Sequence, residues 1–320
     1  QMGGQQGGRD GGQFAGGIGG GSQLNNRGFG NNFGLGPLGP GVNGRLSPED
    51  IRQLQNEMRQ WSNEVGELRG LLRGEDVDPR ELDQILRAMR ELQDRRGYQE
   101  ISTPIVVSER LWRQSGHWDH YAENMFIVEA EGQKFSLKPM NCPESTFIYR
   151  SRLRSYRDLP LRLNEYGRLH RNERSGTLSG LTRVRHFIQD DAHIYVRPDQ
   201  LGNEIEALLG EVREAYSWFG LQPRLAFATK PDKAVGDPAL WEQAEAYIRQ
   251  ALDRTGLPYV VKPKDGTFYA PKIDIYVDDA LGREWQCATI QADLTMLPER
   301  FDLRFVDEEG KERQIGRAHV

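Results

Sequence analysis

The stretch Arg183-Val-Arg-His-Phe-Ile-Gln-Asp-Asp-Ala-His-Ile-Tyr195 carries neither glycine nor proline and reads as a β-strand. Strand side chains alternate between two faces. One face then holds Arg183, Arg185, Phe187, Gln189, Asp191 and His193; the other holds Val184, His186, Ile188, Asp190, Ala192 and Ile194. Two guanidinium groups, a ring, an amide, a carboxylate and an imidazole make a poor core. Buried polar groups cost free energy unless a ligand, a metal or water satisfies them. Taken alone, the pattern also fits a wet edge strand with scattered charges, so the neighbouring sequence has to decide.

Upstream, Leu159, Leu161 and Leu163 alternate along a second strand, which runs into the polar loop Leu169-His-Arg-Asn-Glu-Arg-Ser-Gly176. Downstream, residues 200–219 have helical periodicity and stop at Gly220. Residues 238–252 read as a helix with Leu240, Ala244, Tyr247 and Ile248 inward. Residues 273–276 and 284–291 flank Asp278-Asp-Ala-Leu-Gly282, a hairpin pattern. Strand pairs interleaved with helices predict an α+β fold, an antiparallel β-sheet flanked by helices.

The net charge of −5 excludes a generally basic nucleic-acid coat protein. Residues 150–174 nevertheless hold eight Arg against one Asp and two Glu, either a solvated face or a local positive funnel for an anionic ligand. The two cysteines, Cys142 and Cys287, and the lack of a signal peptide or membrane-length apolar run fit a reducing cytoplasm.

Composition changes sharply along the chain. Residues 1–45 contain 18 of the 36 glycines, with Gln and Asn filling much of the rest. Such a segment buries too little apolar surface to offset its ordering entropy and reads as disordered. Residues 46–96 read as a helical hairpin. Ser47-Pro48-Glu49-Asp50 starts one helix, and Ile51, Leu54, Met58, Trp61, Val65, Leu68 and Leu72 recur at alternating spacings of three and four. Asp78-Pro79-Arg80-Glu81 starts the second, with Leu82, Ile85, Leu86, Met89 and Leu92 on its apolar face.

Several separated motifs, in order, carry a resemblance. They are Ser115-Gly-His-Trp-Asp119, Leu137-Lys-Pro-Met-Asn-Cys-Pro143, the strand–Arg171-x-Glu173 loop–strand layout, Gly266-Thr-Phe-Tyr-Ala-Pro-Lys-Ile-Asp274 and Trp285-Gln-Cys-Ala-Thr-Ile-Gln291. Together, over residues 97–314, they closely resemble the catalytic core of the threonyl-tRNA synthetase family, a class II aminoacyl-tRNA synthetase.

The resemblance implies a threonine–tRNA ligase reaction in two steps, with ATP and threonine as substrates, tRNA as partner, Zn2+ and Mg2+ as metals, and a homodimer. It implies Cys142 and His193 as two of three zinc ligands, and Met140, Gln189, Asp191, Tyr269 and Gln291 around the threonine. Arg171 is implied to clamp the α-phosphate, Glu173 to belong to the ATP loop, Arg183 to reach the phosphate tail and Phe187 to stack on adenine, with Thr289 nearby. His117 is implied to assist the ribose hydroxyl of tRNA in the transfer step, whereas His120 and His170 read as structural. A metal answers a physical need: threonine and valine are nearly isosteric, and a pocket alone separates them poorly.

At both ends the chain departs from that family. The first 95 or so residues read as a segment of other origin, joined near residues 95–97. The family continues past Gln314 with a Val-Met-x-His stretch that carries the third zinc ligand. Here the chain reads Ile315-Gly-Arg-Ala-His-Val320, expected to be a non-native tail in which His319 is no ligand. A fragment with two ligands and no third signature is expected to be weakly active or inactive. The alternatives are another class II synthetase, of prolyl or seryl type, or a non-enzymatic interaction protein acting through residues 1–95.

Overall fold

The computed structural model describes residues 79–179 and 182–320. The expected glycine-rich segment and the first helix of the hairpin lie outside them. The chain enters through α1 (Pro79–Arg95), the second helix of the expected hairpin, and turns at Gly97 into β1 (Tyr98–Glu100). A small layer follows: β2 (Val106–Ser108), α2 (Glu109–Ser115), α3 (His117–Tyr121), and the hairpin β3 (Phe126–Ala130) and β4 (Gln133–Leu137). Then come α4 (Cys142–Arg150), β5 (Leu161–His170) and β6 (His186–Val196). The second half runs α5 (Leu201–Ser217), β7 (Arg224–Ala228), α6 (Pro238–Thr255), β8 (Tyr259–Lys262), β9 (Lys272–Asp278) and β10 (Glu284–Asp293). It ends with α7 (Met296–Arg300), β11 (Arg304–Val306), β12 (Glu312–Gln314) and β13 (Gly316–His319).

Eight strands form one sheet in the order β1-β5-β6-β13-β10-β9-β7-β8. The expected α+β class is observed. The sheet is antiparallel except at its two edges, where β1 runs parallel to β5 and β8 parallel to β7. The decisive strand begins at His186 rather than Arg183; Arg183 and Ser179 make an isolated bridge before it. From there the alternation holds. Ala192, Ile194 and Val196 turn to one face and pack with Leu201, Ile205 and Leu208 of α5 and Ala244 and Ile248 of α6. Each such aliphatic side chain, fully buried, contributes about 1.5–3 kcal/mol.

Helix α6 shows how its sequence sets its ends. Asp237 caps it by accepting from the Ala239 amide at 2.9 Å, Pro238 occupies the first turn, and Gly256 takes the left-handed conformation that closes it. On the other sheet face lies a second apolar cluster of Cys142, Tyr149, Leu161, Leu163, Tyr195, Tyr269 and Phe301. That face carries the polar row.

Residues 315–320, expected to be a non-native tail, are built into the sheet. β13 lies in the middle of the sheet, paired with β6 on one side and β10 on the other. Ile315, Arg317 and Ala318 are buried. The physical reason is hydrogen-bond satisfaction: without β13, facing edges of β6 and β10 would be left unpaired inside the sheet.

Candidate active site

The site is floored by three adjacent strands. Register places His193 of β6 opposite His319 of β13, and His319 opposite Gln291 of β10. Cys142 enters from the first residue of α4, with its sulfur 3.7 Å from both ring nitrogens of His319. Cys142, His193 and His319 thus present one sulfur and two imidazoles within 4.8 Å of one another, a group able to hold a metal ion. His319, expected to be no ligand, stands within this group. Strand alternation turns Arg317 and His319 to the face of His193, while Ala318 joins the core behind the sheet.

Asp191 supports the group from beside it. Its Oδ1 accepts a hydrogen bond from His319 Nε2 at 2.7 Å, and its Oδ2 accepts from Asn141 Nδ2 at 2.7 Å. His193 Nε2 is buried and unpartnered among the described residues. Burial opposes ionisation of the Cys142 thiol, but the His319 and His193 imidazoles beside it hold its pKa well below the ordinary thiol value. For His319, burial lowers the pKa, and the facing Cys142 sulfur and Asp191 carboxylate outweigh it, pushing the ring up to about 10. Asp191 itself is held below the usual carboxylate range: its burial is outweighed by the two imidazoles and by its hydrogen bonds.

Tyr269 and Gln291 close one side, the phenol donating to Gln291 Oε1. Met140, half-buried, packs against the apolar clusters on either side of the loop before α4. Gln189 lies exposed on β6 opposite Gly167 of β5, on the face of Asp191. His117 is fully buried. Its Nδ1 pairs with Ser115 Oγ at 2.8 Å, its Nε2 has no partner among the described residues, and the rings of Trp112, Phe268 and Tyr269 meet it edge-on. Burial, then the cationic Arg317 and His319, lower its pKa to about 3.

A second cluster gathers at the other end of β6. The Arg171 guanidinium lies over the Phe187 ring, 5.0 Å from its centroid, and its Nε donates to the Pro139 carbonyl at 3.2 Å. Arg183 pairs with Glu173 at 3.1 Å. Four strand residues, roughly 13 Å, separate Phe187 from Asp191. Thr289 sits elsewhere, on β10, accepting from Gln286 Nε2 at 2.8 Å beside the Lys272–Asp274 pair. That pairing gives Lys272 a partner at 2.6 Å.

Sequence reasoning missed His319, Asn141 and the buried Lys138–Glu165 pair at 2.7 Å, which anchors the loop before α4 to β5. The pair leaves no local sequence signal. His319 had one, the alternation of Arg317 and His319 about Ala318.

The family tRNA synthetase class II core domain (G, H, P, S and T) matches residues 126–319, His319 included. The threonine–tRNA ligase of Thermotoga neapolitana is 51% identical over 238 residues, covering 74% of this chain and 37% of that protein. That of Symbiobacterium thermophilum is 48% identical over 277 residues, covering 83% of this chain and 42% of that protein. A crystal structure described as the RNA binding domain of threonyl-tRNA synthetase from Cryptosporidium parvum superposes with a TM-score of 0.69 at 42% identity, covering 74% of this chain and 59% of that one. The chain spans less than half the length of these two ligases. Carrying the sheet, the Arg-x-Glu loop and the polar row on β6, this chain belongs to the class II tRNA synthetase core domain family.

Proposed function

We propose that this chain is the catalytic core of a threonine–tRNA ligase, forming threonyl-adenylate from threonine and ATP and passing the threonyl group to tRNA. The observation that carries the reading is the convergence of Cys142, His193 and His319 beside Asp191. One sulfur and two imidazoles with a position left open match a catalytic zinc donor set, and bonds of about 2.3 Å to sulfur and 2.0–2.1 Å to nitrogen at tetrahedral angles place S and N roughly 3.6 Å apart. The separation here is 3.7 Å. Zinc bound there supplies a Lewis acid for the amino and hydroxyl groups of threonine, and valine has no hydroxyl to offer.

The chain's own residues do the rest. Asp191 and Gln291 face the amino acid as acceptors, and Tyr269 fixes the Gln291 amide. Arg171 stabilises charge on the α-phosphate as the carboxylate of threonine attacks, Phe187 takes the adenine, and Glu173 and Arg183 hold the loop at the phosphate tail, with magnesium accompanying ATP. Thr289 borders the nucleotide. His117 assists the ribose hydroxyl in the transfer step. The expectation of a weak or inactive site rested largely on a missing third ligand, and His319 supplies a third donor. One relative's match takes in more of this chain than residues 97–320 contain, which favours a core beginning upstream of Gly97.

The test is threonine-dependent ATP–pyrophosphate exchange by the full chain, with and without zinc. Exchange with threonine and not with proline, abolished by chelation and restored by zinc, is expected; exchange indifferent to both would overturn the reading.

A further inference from the structure

We propose that Asn141 is the positioning residue that orients the Asp191 carboxylate, and through it sets how tightly the site holds its amino acid. The inference rests on the threonine reading given above.

Two locally unfavourable choices explain each other. Asn141 stands at the N-cap of α4, where an Asn side chain ordinarily accepts from the amides of the first turn. It makes no such bond. Its amide reaches away from the helix and donates to Asp191 Oδ2 at 2.7 Å. Gly167 sits in the interior of β5, where glycine weakens a strand, and its backbone is not in the left-handed region that would require glycine. The reason lies in space. A Cβ on Gly167 would stand 2.2 Å from Asn141 Nδ2 and 2.6 Å from its Oδ1. The amide lies where that side chain would be, and only a bare Cα lets it pass.

The consequence falls on Asp191. His319 Nε2 holds one carboxylate oxygen and Asn141 Nδ2 the other, so the carboxylate is fixed from two sides while fully enclosed. Asn141 is itself fully buried, and its Oδ1 has no partner among the described residues. That carbonyl is a further acceptor for a donor brought by the ligand. An apolar residue at this position would leave Asp191 free to turn about its own side-chain bonds. A carboxylate there would place like charge against it.

The experiment uses the full chain loaded with zinc. Threonine affinity is measured by calorimetry for the wild type, Asn141→Ala, Asn141→Asp and Gly167→Ala. Metal content and melting temperature are recorded for each. Asn141→Ala is expected to lose roughly 10–100-fold in threonine affinity, as supporting partners of metal sites do, with zinc content near wild type. Gly167→Ala, which leaves Asn141 in place but displaces its amide, is expected to show the same loss. If Asn141→Ala does not fold, Asn141→Asp and Gly167→Ala carry the test. Unchanged threonine affinity in the folded variants overturns the inference. Failure of the wild type to bind threonine overturns the threonine reading instead, and this inference with it.

Discussion

His193 and His319 face each other across neighbouring strands with ring centroids 4.5 Å apart and planes within 13° of parallel. Both rings and the Cys142 sulfur lie close enough together to share one metal ion. Cys142→Ser, His193→Ala and His319→Ala are each expected to bring bound zinc, measured by elemental analysis after dialysis, far below one per chain. Asp191→Asn is expected to weaken zinc roughly 10–100-fold without removing a ligand. Full zinc occupancy in His319→Ala would show that the last strand plays no part in the site.

Zinc uptake should depend on pH in one direction. In the metal-free protein His319 carries a proton up to about 10. The Cys142 thiol, its pKa held well below the ordinary value, gives its proton up far more readily. Binding must therefore release a proton from His319, and apparent affinity is expected to rise with pH until about 10. Competition with a chromophoric chelator measures the slope; a flat profile would contradict the coupling.

His117 should leave a mark on acid stability. Its folded pKa of about 3 lies below the ordinary 6.5. Between those values the unfolded chain binds the extra proton, so the stability that His117 contributes is complete above about 6.5 and is lost as pH falls towards 3. The limit is on the order of 4 kcal/mol. Urea denaturation at several pH values should show a shallower acid limb for His117→Asn than for the wild type.

Two buried ion pairs should respond to loss of one partner to different degrees. Glu165 accepts from Lys138 Nζ at 2.7 Å and from the Thr103 amide and hydroxyl, so every partner is committed. Glu165→Ala strands a buried ammonium and is expected to cost about 3–5 kcal/mol. Arg317 has a single carboxylate contact, to Asp293 at 3.2 Å, and its Nε and Nη1 are unpartnered among the described residues. Asp293 also accepts from the amides of Thr295, Met296 and Leu297. Arg317→Met removes a poorly satisfied buried charge but leaves the buried Asp293 carboxylate to the three amides alone, so it is expected to destabilise, by less than Glu165→Ala. Melting curves of the two variants separate the cases.

Much of this was legible in the residues. Alternation from Phe187 to His193 named the polar face of β6, and the turn at Asp278–Gly282 named the β9–β10 hairpin. The spacing of Leu240, Ala244, Tyr247 and Ile248 marked α6 because helical periodicity is local. The third donor was not found, because its position depends on which strands flank β13, a pairing between segments more than a hundred residues apart. The Lys138–Glu165 pair escaped for the same reason: each residue alone looks like a solvated charge. Asn141 was hidden by its helix cap, where Asn is unremarkable until its side chain is seen to point elsewhere.

The central place of β13 has a kinetic side. Its neighbours β6 and β10 both precede it and have no ladder with each other, so the middle of the sheet stays open until β13 inserts. Assembly of the sulfur–imidazole group and closure of the β-sheet then become a single event. Amide exchange along β6 and β10 is where that coupling would be read, as joint protection that arrives with β13 and not before.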